Sequence, residues 1–141
     1  MSLEDNKAAS RRQIMLWQSG STDSAEDVFT SSYVNHQESD VGGQGPRDLA
    51  AFKDLIASYH AAFSDSQVKV LTQIAEGDFV ATRWEITATN TSEFIDLAKA
   101  TNRQMTWTGV LIDRFEGGQI AETWVDWDQY RFLRELGRIT D

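Results

Sequence analysis

Between Pro46 and Asn90 the apolar residues change their spacing once, and that change divides the chain into a helical part and a sheet part. Leu49, Phe52, Leu55, Ile56, Tyr59 and Phe63 recur every three or four positions, as on one face of a helix. Pro46, behind Gly45, suits the first position of that helix, where its missing N–H is no loss. Past Ser64-Asp65-Ser66 the period falls to two. Val68, Val70, Thr72 and Ile74 alternate with Gln67, Lys69, Leu71 and Gln73, which predicts a strand. Glu76-Gly77-Asp78 is a turn, and Phe79 to Asn90, rich in β-branched and aromatic residues, is expected to run back antiparallel. Gln104 to Glu116 and Gln119 to Asp126 make a second hairpin around Gly117-Gly118.

The flanking segments read as helices and connections. Ile14 and Trp17 lie three apart in Ala8 to Ser19, a helix ended by Gly20. Ser24-Ala25-Glu26-Asp27 has the form of a capping box, and Ala25, Val28, Phe29 and Tyr33 follow at helical spacing. A second helix is therefore expected to run into Tyr33-Val34-Asn35-His36. Gln37 to Gly45 is a polar loop, and Thr91 to Arg103 a connection with some helical spacing at Phe94, Leu97 and Ala98. Phe132, Leu133 and Leu136 predict a short closing helix with Gly137 beyond it. Helices gathered before a sheet indicate an α+β fold. A sheet of long twisted strands curls, and helices laid across its concave side leave a conical cavity.

Composition narrows the function. The 141 residues, of which 40% are hydrophobic, suffice for one core, so a single domain over residues 1–141 is expected. No cysteine is present, which excludes disulfides, thiol catalysis and thiolate zinc sites. His36 and His60 lie apart with no metal-ligand spacing, so no metal site is expected. A formal charge of −9 repels phosphate backbones and anionic lipid, so neither nucleic acid nor membrane is an expected partner. No apolar run has the length of a membrane span, and the first residues lack the plan of a signal peptide. A soluble cytoplasmic protein is the expectation, and Met1-Ser2-Leu3 carry no functional weight.

Several residues together resemble one family. They are Tyr33-x-x-His36, Gly45, Ala62-Phe63-x-Asp65, Val80-x-x-Arg83, Gly117-Gly118-x-Ile120-x-Glu122-x-Trp124-x-x-x-Asp128 and Leu136-Gly137. They resemble the SnoaL-like polyketide cyclases of the nuclear-transport-factor-two-like cone fold. The resemblance implies N-terminal helices packed on a strongly curved, mainly antiparallel sheet that encloses a cavity. It also implies a cofactor-free intramolecular aldol reaction on an aromatic polyketide ester, with an aspartate as acid and base. Asp128 is the residue in the acid/base position, and His36 corresponds to a histidine at the cavity mouth that polarises a carbonyl or orients the acid. Ala88-Thr89-Asn90 departs from the Gly-Thr-His of the cyclases, and an asparagine can hydrogen-bond a carbonyl but cannot shuttle a proton.

The residues themselves leave alternatives. Asp128 stands just before a helical run, where an aspartate commonly caps the helix. Trp124 and Trp127 beside it would, in an apolar wall, raise its pKa toward working pH. Asn90 shares strand parity with Val80, Thr82, Trp84, Ile86 and Ala88, which should face inward. There it would bind a ligand oxygen, or bond to its own turn. Tryptophans stand at 17, 84, 107, 124 and 127, and core filling is the plain reading of each. Trp84 and Trp124, with Trp17, are the expected cavity walls. His60 is expected to be solvated. Glu122 and Asp126 share a face with Trp124 and could reach the pocket, or Glu122 could pair with Arg83.

A second resemblance is to limonene-epoxide hydrolases. It rests on Tyr33-x-Asn35, Arg83-x-Glu85 and Trp124-x-Asp126 and implies a water held by Tyr33 and Asn35, with acidic residues on either side of the epoxide. Parity sets Arg83 and Glu85 opposite to Trp84 and Ile86. A third reading is a non-enzymatic binding module, since one fold hosts many functions. In each case the partner is a hydrophobic small molecule. Relatives pair through the outer sheet face, so a homodimer burying residues such as Leu71 and Phe79 is expected.

Overall fold

The computed structural model describes residues 2–37, 45–93 and 99–138. Helices α1 (Leu3–Ser19), α2 (Ala25–Val28) and α3 (Leu49–Ala62) lie with the short closing helix α4 (Gln129–Glu135) on a six-stranded sheet. The strands are β1 (Phe29–His36), β2 (Arg47–Asp48), β3 (Gln67–Glu76), β4 (Phe79–Thr89), β5 (Gln104–Glu116) and β6 (Gln119–Trp127). Their order is β2-β1-β6-β5-β4-β3, antiparallel except that β1 runs parallel to β6. The expected α+β class and the hairpins around Gly77 and Gly117-Gly118 are present. No helix among the described residues is long and apolar enough to cross a membrane.

The expected second helix is corrected. It lasts four residues, Ala25–Val28, and Phe29–His36 is a strand. Phe29, Thr30, Tyr33 and Val34 prefer extended backbone, and Tyr33, Asn35 and Gln37 are buried at period two. Ser24 stands at the N-cap but makes no side-chain capping bond. Ser2, by contrast, closes a capping box with Asp5, so α1 begins five residues before Ala8. The third helix starts at Leu49, capped by Asp48, rather than at Pro46. A bulge between Val70 and Thr72 reverses the phase of β3 and turns Ile74 outward. The helical spacing at Phe94, Leu97 and Ala98 lies outside the described residues.

Two apolar clusters fill the space between helices and sheet. One joins Tyr59, Phe63, Trp84, Trp107, Leu111 and Phe132; the other joins Phe29, Tyr33, Phe52, Phe115 and Ile120. Trp17 packs against both, meeting Phe52 and Tyr59 edge-on at 6.0 and 5.0 Å between ring centres. Gly109 is required by packing: a Cβ there would stand 2.3 Å from the Trp84 ring and 2.7 Å from Trp127 Cβ. His60 is half-buried rather than solvated, its ring filling the space above Gly20.

Candidate functional site

Strand pairing arranges the inward side chains in rows across the sheet. One row runs Arg47, Asn35, Thr123, Asp113, Val80, Ala75, each the register partner of the next. Four of these are polar, and Arg47, Asn35, Thr123 and Asp113 are all buried. α1 covers the row with Ser10 and Gln13.

Asp113 is the centre of this polar layer and has no solvent exposure. Ser10 Oγ donates to its Oδ2 at 2.7 Å and Thr123 Oγ1 to its Oδ1 at 2.6 Å. With the Gln13 amide nitrogen turned to the carboxyl, that nitrogen stands 2.6 and 2.8 Å from the two oxygens. Burial raises the carboxyl from an ordinary 3.8 to about 7, against the lowering effect of the hydrogen bonds from Thr123, Ser10 and Gln13. Asn35 Nδ2 donates to Tyr33 Oη at 3.0 Å, and burial holds that phenol well above its ordinary value. Asn35 Oδ1, also buried, has no hydrogen-bond partner among the described residues. Higher on the same wall Trp84 is buried, and its Nε1 likewise lacks a partner among the described residues.

The residues expected at the site are therefore divided between two faces. Tyr33, Trp84, Asn90 and Trp17 lie on the inner side. Asn90 is fully buried, but it holds its own turn: Nδ2 donates to the Ser92 carbonyl at 2.8 Å and Oδ1 accepts from Thr101 N–H at 2.9 Å. His36, Trp124 and Asp126 lie on the outer face. The His36 ring stacks on Trp124 at 5.4 Å, and its Nε2 is 2.7 Å from Glu122 Oε2. Glu122 pairs with His36 and with Arg114, not with Arg83, and these two hydrogen bonds hold its carboxyl below the usual range. Trp124 is 36% exposed, so it walls no interior space.

Asp128 is a further correction. It is exposed, and its Oδ1 accepts the Arg131 N–H at 3.0 Å, the geometry of a helix cap on α4 rather than of a buried acid. The epoxide-hydrolase constellation is also split, because Tyr33 and Asn35 face inward while Arg83 and Asp126 are exposed.

Asp113 and Arg47 are not among the residues expected at the site. Parity was the available signal for the first. In Met105, Trp107, Gly109, Leu111, Asp113 and Phe115 a single charge interrupts the inward set of a long strand. No such signal existed for Arg47, whose strand has two residues. Among the described residues no cluster of His, Asp or Glu could hold a metal.

A curved six-stranded sheet with helices across one face and a buried acid on its inner wall has the cone architecture. The model of the SnoaL-like polyketide cyclases matches residues 7–136, and the chain belongs to that family. Among solved structures, AclR of Streptomyces galilaeus, a candidate hydroxylase, is 26% identical with a TM-score of 0.85, over 99% of this chain and 89% of AclR. IdmH of Streptomyces antibioticus, a candidate polyketide cyclase, is 24% identical with a TM-score of 0.79, over 94% and 98%. TsrD of Streptomyces laurentii shares the fold at 14% identity and a TM-score of 0.85, over 99% of both chains. No curated protein sequence matches the chain.

Proposed function

We propose that this chain is a cofactor-free acid–base catalyst acting on a hydrophobic, carbonyl-bearing small molecule, and that Asp113 rather than Asp128 carries the proton. One observation carries the reading: a carboxyl with no solvent exposure, raised to about 7, on the inner wall of the cone. Such a group accepts a proton from carbon and returns it near neutral pH without a large penalty in either direction. An enolate-forming aldol or isomerisation needs that transfer and a donor for the developing oxyanion. Trp84 Nε1, on the same wall four residues along the strand from Val80 and so about 13 Å away at the usual strand rise, is too distant to answer an enolate oxygen formed at Asp113 and is read as a donor for a second, distal oxygen of the substrate. A polycyclic substrate spans that distance.

The test compares Asp113→Asn and Asp128→Asn for turnover and binding of aromatic polyketide esters and of the corresponding free acids. Asp113→Asn is expected to lower kcat by about 10²- to 10⁴-fold with binding retained, the usual weight of a positioned acid–base group. Asp128→Asn preserves the cap and is expected to change kcat less than twofold. Loss of turnover at Asp128 with full activity at Asp113 overturns the assignment. Binding without turnover by the wild type supports a ligand-carrying module instead.

A hydrolytic reading is favoured by one feature, the bonded pair Tyr33 and Asn35 with a free acceptor on Asn35 one strand away from Thr123 and two from Asp113. A water held there could open an epoxide, so epoxides belong in the same panel. The similarity to AclR, a candidate hydroxylase, adds a hydroxylation arm to the panel. The outer sheet face supports self-association: His36, Trp124, Ile112, Ala81 and Ile74 form one row across it, flanked by Val110 and Phe79. The occupant of that face in this reading is a second copy of the chain.

A further inference from the structure

At the sheet edge, Arg47 presents a charge that none of the described residues answers. It is 8% exposed, and its Nη1 is fully buried with no hydrogen-bond partner among the described residues. Among the described residues no carboxylate pairs with it. Asp48, its neighbour in sequence, is exposed and spends its carboxylate on the Ala51 N–H at 2.9 Å, capping α3. A guanidinium does not escape burial by losing its proton, as a lysine does, so the cost of leaving it unpaired stands until an anion arrives. Its planar fork suits a carboxylate in particular.

The surroundings specify more than charge. Arg47 is the register partner of Asn35, so both side chains lie on the same face, in the row that continues through Thr123 to Asp113. Asn35 is anchored through Nδ2 to Tyr33, which leaves the buried Oδ1 as an acceptor without a partner. A cation beside an acceptor matches a carboxylate that carries a hydroxyl close by. A neutral ester would leave the cation uncompensated.

We propose that Arg47 and Asn35 form a carboxylate-recognition corner inside the cone, and that the ligand is a hydroxylated aromatic acid rather than its neutral ester. The proposal goes beyond the acid–base reading and does not depend on it, because binding alone tests it. The probes are 3-hydroxy-2-naphthoate and its methyl ester, titrated at pH 7 by calorimetry against the wild type, Arg47→Met and Arg47→Lys. Wild type is expected to bind the acid at least tenfold more tightly than the ester. Arg47→Met removes that difference while ester affinity stays within about threefold, and Arg47→Lys keeps part of it through charge without the fork. Arg47→Met without ligand is expected to melt no lower than wild type, since it removes an unpaired buried charge, and to lose the acid-induced rise in Tm. Equal wild-type affinity for acid and ester, failure of both probes to bind, or a folded Arg47→Met that still discriminates overturns the proposal. Should Arg47→Met not fold, the wild-type comparison of acid and ester decides by itself. Loss of turnover in Asp113→Asn with acid selectivity intact separates the two sites.

Discussion

One buried carboxyl, Asp113, couples this molecule's stability to pH. Asp113 titrates near 3.8 when unfolded and near 7 when buried, so the folded state holds its proton more tightly. Below about pH 4 both states are protonated. As pH rises through the window from 4 to 7 the unfolded chain releases its proton first, stability falls, and above 7 it levels off, a change on the order of a few kcal/mol. Glu122 works in the opposite sense, because a carboxyl held below its ordinary value favours the fold once pH exceeds that value. Urea unfolding at pH 4.5, 6 and 8 is expected to give a slope for wild type that flattens in Asp113→Asn; equal slopes contradict the assignment. Gly109 gives a second prediction at this scale. Gly109→Ala pushes a methyl into Trp84 and Trp127 and is expected to cost about 1–3 kcal/mol in unfolding free energy, with a changed tryptophan emission spectrum.

Among the elements, α4 offers the clearest separation of a structural aspartate from the one proposed to carry the proton. Asp128→Ala is expected to lower stability by about 1 kcal/mol, whereas Asp128→Asn keeps the cap and the melting temperature, measured by circular dichroism. Where sequence and fold agree, periodicity did the work: α3 and the two hairpins follow from spacing that local backbone geometry imposes. Disagreement arises where tertiary contacts choose. Phe29 and Tyr33 are four apart, a spacing a helix also produces, and pairing with β6, about ninety residues away, makes them a strand. The bulge after Val70 is invisible in an alternating pattern. The site was partly legible. Tyr33, Trp84 and Asn90 lie inside as parity and pattern suggested, but Asp128 and Trp124 followed a motif whose spacing does not say which side of a strand end a residue takes. Arg47 could not be found, because its burial depends on a two-residue strand that only the finished sheet creates.

For the molecule as a whole, the outer face carries the proposed self-association. Ile112, Val110, Phe79 and Ile74 leave large apolar area to water, more than isolated surface residues account for. Light scattering at micromolar concentration is expected to return twice the chain mass, and Ile112→Asp to return the single-chain mass with an unchanged circular dichroism spectrum. A single-chain mass for wild type rules the dimer out. The parallel contact between β1 and β6 has an effect on how the protein is made. Phe29 must wait for Ile120, and Asn35 for Thr123, before the middle of the sheet can close. During synthesis the first third of the chain thus emerges with β1 paired only to the two-residue β2, and the sheet is expected to close only after β6 has been made. Nascent chains stalled before Gln119 should be digested readily by protease and those released past Trp127 should resist, which makes the last hairpin the timer of biogenesis.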